Sequence, residues 1–263
     1  MPAEDWGWRI TPDELRAWIV EEREGVVILN KPAGVVCHPS KNGPWSSLAG
    51  AYREYSGAEK VHMPFRLDRE TSGVMLVTGV EECGRRLQGA VQKGAYRKTY
   101  LAVLMGELRG ESLVALRLGR REDSLVRLRQ AALQDGTGQD AYTRIVPLLS
   151  SPRGTLVRIT PATGRLHQIR AHARAIGHPL FGDKIYGPDE SLFVEFIERG
   201  WTERQELALG LRRQALHCAS VEFDMEIVRG ERRFSAPLAP DLVAFCQQTL
   251  NLPVDAAGYL AFA

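Results

Sequence analysis

The chain reads RLDRETSG at residues 66–73 and continues directly into the apolar run VMLVTGV at residues 74–80. One carboxylate, Asp68, lies between two arginines, and an adjacent cation favours the ionised form of a carboxyl group. An ionised, partly desolvated carboxylate can act as a nucleophile or as a base. Asp, Thr, Ser and Gly are also frequent turn residues, so the octet by itself is typical of a charged turn as well.

Around this octet, apolar and β-branched segments predict a chain rich in strands. The predicted strands are residues 26–29, 73–80, 96–104, 111–118, 139–149, 155–160 and part of 216–228. The predicted helices are residues 46–55, 81–92, 166–176, 190–210 and 241–250. Charge and glycine dominate residues 119–138, which predicts a long exposed loop. This order favours an α+β fold, with a large mixed or antiparallel β-sheet flanked by helices and loops.

A second polar group of residues, TGRLHQIR at 163–170, leads into the helix predicted from Leu166 to Ile176. Leu166, Ile169, Ala173 and Ile176 are spaced to form one buried stripe. His167, Arg170 and Arg174 would then share a neighbouring face near the helix start, where cations can hold an anion. A solvated basic face is the competing interpretation.

Two further segments are candidates for RNA contact. Tyr96, Lys98 and Tyr100 place aromatic rings beside cations on a predicted strand, which suits base stacking but also ordinary sheet packing. The segment LRLGRREDSLVRLR at 116–129 carries five arginines against two acidic residues. Such clustering is what a local phosphate-binding surface requires, and it is equally compatible with a solvated loop.

The bulk composition excludes several classes of protein. A net charge of +2 and a pI of about 8.4 do not describe a wholly basic nucleic-acid binder. The sequence has no 18-residue apolar run, so we expect no membrane span. The four cysteines form no C-x-x-C pair, and the motifs for zinc or nucleotide binding are missing. We therefore expect no bound metal or nucleotide cofactor.

Taken together, the motifs resemble those of the RluA-type pseudouridine synthase family. The resemblance spans about residues 26–240, and the order of its pieces makes it specific. The matching pieces are LNKPAG at 29–34, RLDRETSG at 66–73, KTY at 98–100, TGRLHQIR at 163–170, GHPLFGD at 177–183, YG at 186–187 and LHCA at 216–219.

The resemblance implies the pseudouridine synthase fold and a role for each matching residue. Asp68 would be the catalytic aspartate and Tyr100 the active-site tyrosine. Arg170 would pair with Asp68 and fix its charge, and Arg66 would enter the space that the extruded base leaves. The complete set of expected RNA contacts is Arg66, Arg69, Lys98, Arg165, His167, Arg120, Arg121, Arg127 and Arg129.

The same resemblance implies the organisation and the partner. We expect an extension at residues 1–20, a catalytic domain at 21–250 and a tail at 251–263, without the S4 RNA-binding domain of many relatives. The partner would be a stem-loop of ribosomal or transfer RNA, and the protein a cytoplasmic monomer. One residue departs from the family pattern, because Phe65 stands where histidine or glutamine is frequent.

Two rival functions stay open at this point. One is a catalytically silent RNA-binding protein on the same fold, because fold does not guarantee function. The other is a phosphohydrolase with an aspartyl nucleophile, whose D-x-D-x-T signature Asp68 and Glu70 resemble loosely. That class requires an apolar strand directly before the aspartate, and residues 60–65 (KVHMPF) do not predict one.

Overall fold

A computed structural model describes residues 8–38, 43–120, 122–133 and 136–255. The strands in this part of the chain are β1 (Ile19–Arg23), β2 (Val26–Lys31), β3 (Ser72–Val77), β4 (Tyr96–Met105), β5 (Ser112–Arg120), β6 (Gln130–Leu133), β7 (Gln139–Ser151), β8 (Gly154–Pro161), β9 (Leu216–Phe223) and β10 (Arg233–Ser235). The α-helices are α1 (Pro12–Trp18), α2 (Leu48–Ser56), α3 (Glu81–Gln92), α4 (Gln168–Ala175), α5 (Ser191–Arg199), α6 (Glu203–Leu209) and α7 (Pro240–Ala244). The predicted α+β class is confirmed.

The chain divides into two compact units, and the division falls within β4 and β9. The first unit consists of Ala3–Lys98 and Cys218–Ala239, and the second mainly of Thr99–His217 and Pro240–Ala263. The catalytic domain expected at residues 21–250 contributes to both units, and the expected boundary after residue 20 lies inside β1.

In the first unit the strand order is β1-β2-β3-β9, with β10 paired to β9. Strand β2 runs antiparallel to both β1 and β3, and Val27 lies opposite Val77. Every residue of β3 is buried, as are the first four of β2. A sheet covered on both faces explains why the two segments read as unbroken apolar runs rather than alternating ones.

In the second unit the strand order is β4-β8-β7-β5-β6, and each of these pairings is antiparallel. Helix α4 packs on this sheet, and its Ala171 belongs to a buried cluster with Leu118, Ala141 and Tyr186. This cluster therefore lies between the sheet and the helix that carries Arg170.

The helix predicted at residues 190–210 and the loop predicted at 119–138 differ most from their observed extents. The single helix predicted at residues 190–210 is two helices, α5 and α6, because Gly200 takes a positive φ of 77° and Thr202 caps α6. The loop predicted at 119–138 is shorter, because β6 pairs with β5 from Arg117 to Arg120. Its Val126 and Arg129 are buried. No helix among the described residues is long and apolar enough to cross a membrane.

Candidate active site

Asp68 lies in the first unit, in a tight turn just before the fully buried strand β3. The amide of Thr71 donates to the carbonyl oxygen of Asp68 at 3.1 Å, which closes the turn. Leu67, Thr71 and Ser72 around it are buried, whereas Asp68 is half-buried and Arg66 is exposed. The octet is thus a turn, as one interpretation predicted. The turn holds a half-buried carboxylate between buried neighbours.

A buried lysine fixes this turn to the loop that follows β2. The Lys31 ammonium is fully buried and donates to the carbonyl oxygens of Pro32, Val35 and Arg69 at 2.9, 2.9 and 3.1 Å. The amide of Gly34 also donates to Arg69, and the Arg69 Nε donates back to Gly34. Hydrogen bonds to a charged donor are among the stronger ones, so the chain directly after Asp68 is held from several directions.

Phe65, the departure from the family pattern, is buried and stacked on Tyr96, with 6.2 Å between ring centroids. The Lys98 ammonium lies 5.0 Å from the Phe65 centroid and 5.8 Å from that of Tyr96. Burial is the largest influence on the pKa of Lys98 and lowers it, whereas electrostatic interactions with Cys218 and Asp68 act in the opposite direction. Lys98 is therefore half-buried and electrostatically coupled to Asp68.

Tyr100 and Arg170 belong to the second unit. Tyr100 is buried on β4 and lies opposite Ile159 of β8. The pairing of Asp68 with Arg170 stays a prediction.

The segment before α4 differs from the predicted helix. The helix begins at Gln168, and His167 takes a left-handed conformation with φ 52°. Leu166 is 51% exposed, so its predicted place in the buried stripe was wrong. Gln168 organises the turn: its Oε1 accepts from Arg165 and Thr163, and its Nε2 donates to the carbonyl oxygen of Tyr142. Arg165 is exposed at this turn, and His167 is half-buried.

Arg170 lies in the interior of the second unit rather than on a solvated face. Its guanidinium forms two hydrogen bonds with Asp183, at 2.6 Å from Nε and 2.8 Å from Nη2. Arg174, four residues along the same helix, is exposed, so the two arginines do not form one solvated basic surface. His172 on the same helix is buried, and burial lowers its pKa to about 4, so it is neutral at pH 7.

The arginines expected to contact phosphate occupy different environments. Arg120 and Arg127 are exposed. Arg129 is buried and forms an ion pair with Glu190, so its place in an exposed basic loop was predicted wrongly. Arg121 lies outside the described residues.

Sequence reasoning gave no role to several residues that shape these regions, notably Lys31, Asp183 and Tyr186. All three fall inside the matching family motifs, but no local pattern reveals their partners. The described residues contain no group of three His, Cys, Asp or Glu side chains that could hold a metal ion.

Comparisons with known proteins indicate the same family as the sequence motifs. The family model for RNA pseudouridylate synthase matches residues 25–175. Ribosomal large subunit pseudouridine synthase D of Nitrosomonas europaea is 31% identical over 89% of this chain and 66% of its own length. An uncharacterized RNA pseudouridine synthase of Bacillus subtilis, YjbO, is 33% identical over 85% of this chain and 73% of its own length. The chain spans slightly less than two thirds of the first of these relatives.

Two solved structures share the fold. Human RNA pseudouridylate synthase domain containing 4 has a TM-score of 0.70 at 22% identity, over 92% of this chain and 96% of that one. Human RNA pseudouridylate synthase domain containing 1 has a TM-score of 0.66 at 22% identity, over 85% of each chain. The family model covers more than half of the sequence, and the chain therefore belongs to the RNA pseudouridylate synthase family of isomerases.

Proposed function

We propose that this chain converts specific uridines of a structured RNA to pseudouridine, with Asp68 as the catalytic carboxylate. The observation that carries the proposal is the half-buried Asp68, held in a turn that Lys31 and Arg69 tie to the neighbouring loop. Relatives named as ribosomal large subunit pseudouridine synthases make ribosomal RNA the first substrate to test, and transfer RNA the second.

The isomerisation rearranges bonds within a single nucleotide. The bond from ribose C1′ to uracil N1 breaks, the uracil turns, and C5 joins C1′. The proton on C5 leaves and N1 gains one, so nothing is oxidised and no group is transferred to another molecule. An anionic Asp68 can act on the sugar or on the base, and the proposal covers both routes.

The reacting uridine must leave the base stack before a side chain can reach it. Extrusion costs a few kcal/mol and favours loops or distorted stems. We propose that Arg66, which is exposed beside Asp68, fills the space that the base leaves. Tyr100 would contact the extruded base, and Arg170 would keep Asp68 ionised, because a cation beside a desolvated carboxylate opposes its protonation.

Phosphate contacts would complete the site. Among the residues expected to make them, Arg120, Arg127 and Arg165 are exposed and suited to the task. Arg69 and Arg129 would act indirectly, through the Gly34 loop and through Glu190. Lys98 would act on the charge of Asp68 rather than on phosphate, because its half-buried ammonium lies over two aromatic rings.

A tritium-release assay tests the proposed function. RNA carrying tritium at uridine C5 should lose it to water when incubated with the chain and excess EDTA, because C5 exchanges its proton for a bond to C1′. Unmodified large-subunit ribosomal RNA fragments and transfer RNA serve as parallel substrates, and nucleoside analysis should show one pseudouridine per tritium released. Tight RNA binding without release from either substrate would favour the catalytically silent alternative.

A further inference from the structure

Asp183 holds the guanidinium of Arg170 by its edge. The two side chains meet through paired bonds of 2.6 Å and 2.8 Å, and both are buried, with Asp183 fully enclosed. A planar guanidinium bound in this way by both carboxylate oxygens has a fixed direction as well as a fixed position. The bonds to Asp183 use two of its five N–H donors.

The carboxylate of Asp183 is itself fixed by the backbone. Its Oδ1 accepts from the amides of Ile185 and Tyr186 at 3.0 and 2.9 Å. Burial alone would raise the pKa of Asp183, but the charge and hydrogen bonds of Arg170, together with these two amides, hold it below the usual range. Asp183 is therefore an anion on a rigid turn.

An aromatic ring covers one face of the guanidinium. The ring centroid of Tyr186 lies 4.9 Å from the Arg170 Cζ. The ring is held at its far end, because the amide of Gln130 donates to the Tyr186 hydroxyl at 2.7 Å and His167 Nδ1 lies 3.1 Å from it. Arg170 is thus bound at one edge and covered on one face.

We propose that Asp183 is a positioning residue for the isomerisation, acting through Arg170. By fixing the guanidinium, it would set the direction of the N–H donors with which Arg170 acts in the proposed reaction. This inference rests on the proposed function, in which Arg170 keeps Asp68 ionised. A displacement of a catalytic group by about 1 Å can lower a rate by about a hundredfold.

The second unit contains another ion pair with the same paired geometry, although its aspartate is exposed rather than buried. Arg213 and Asp241 also meet through paired bonds, of 2.7 and 2.8 Å. Neither residue has a role in the proposed reaction. Asp241→Asn therefore reports the consequence of breaking such a pair when no catalytic arginine is involved.

The experiment measures kcat, KM and the stability of four variants with the RNA that the wild-type chain modifies. Asp183→Asn should lower kcat about a hundredfold with KM nearly unchanged. Asp241→Asn should lower stability only modestly, because its carboxylate is exposed, and should leave kcat within about twofold of wild type. Arg170→Gln and the double variant Arg170→Gln/Asp183→Asn should share one reduced kcat, because Asp183 has nothing left to position.

The outcomes separate this inference from the proposed function. An inactive wild-type chain would contradict the function itself. A folded Asp183→Asn variant with kcat within twofold of wild type, or a double variant slower than Arg170→Gln, would overturn the positioning role alone.

If Asp183→Asn fails to fold, Arg170→Lys provides the test, because lysine keeps the charge but cannot bind Asp183 through a planar fork. The positioning role predicts that Arg170→Lys is as slow as Arg170→Gln. Wild-type kcat in Arg170→Lys would overturn it.

Discussion

Asp68→Asn should lower the single-turnover rate of pseudouridine formation by at least about a thousandfold. The amide has nearly the shape of the carboxylate but carries no negative charge, so it can serve neither as nucleophile nor as base. The RNA dissociation constant should stay the same or fall slightly, because removing an anion does not weaken the attraction for phosphate. Rapid mixing of excess protein with tritiated RNA measures the rate, and filter binding measures the affinity.

Asp224→Asn is the matched control for this variant. Asp224 is an exposed aspartate of the same unit, and its carboxylate lies 3.6 Å from Arg97 at the surface. Removing its charge should change the rate by no more than about twofold, since exposed ion pairs contribute little. A rate for Asp68→Asn above about a tenth of the wild-type value would show that another group performs the chemistry.

Gly73→Ala should have the largest effect on stability, lowering the free energy of unfolding by roughly 3–5 kcal/mol. Gly73 has a φ of 114°, which a residue with a side chain rarely adopts. A Cβ at this position would also overlap the backbone carbonyl of Cys218, which cannot move aside as a flexible side chain would. Urea denaturation followed by circular dichroism measures the difference.

Gly94→Ala separates the two causes. Gly94 also has a positive φ, of 67°, but no atom lies within 4 Å of the position its Cβ would take. Gly94→Ala should lower the free energy of unfolding by only about 1 kcal/mol, from backbone strain alone. Equal decreases in the free energy of unfolding for the two variants would show that the backbone at Cys218 can move to accommodate the new Cβ. The end of the Asp68 turn would then be less firmly fixed than its packing indicates.

The sequence was sufficient where a local pattern determines structure. The apolar runs predicted β2, β3 and β4, and the acidic segment after Val80 predicted α3 with its observed bounds. Alternation or continuity of apolar residues depends only on neighbours in the chain, which is why such elements can be predicted from sequence. The family motifs then named Asp68, Tyr100 and Arg170 as candidates.

The sequence was insufficient where a partner lies far along the chain. Arg129 pairs with Glu190, which is 61 residues away, so composition alone placed it in a solvated loop. His167 was taken to share a helix face with Arg170, whereas its left-handed conformation delays the helix start to Gln168. Nothing in the helix pattern indicated that Arg170 pairs with Asp183, 13 residues further along the chain.

Phe65, which departs from the family pattern, is accommodated by packing against neighbouring side chains. Its ring is buried against Tyr96 and lies beneath Lys98. The substitution therefore acts on the packing of Lys98, which is electrostatically coupled to Asp68, rather than by offering an exposed ring to a base. No property of residue 65 in the sequence distinguishes these two arrangements.

Catalysis by Asp68 requires that this side chain meet a uridine that has left its base stack. A crystal structure of Asp68→Asn bound to the RNA that the wild-type chain modifies tests this directly, because the variant should bind that RNA without converting it. We expect the target base outside the stack, with its C1′ or C5 within roughly 4 Å of the side chain at position 68. A target uridine still stacked in its strand, or one beyond contact distance of residue 68, would contradict the account.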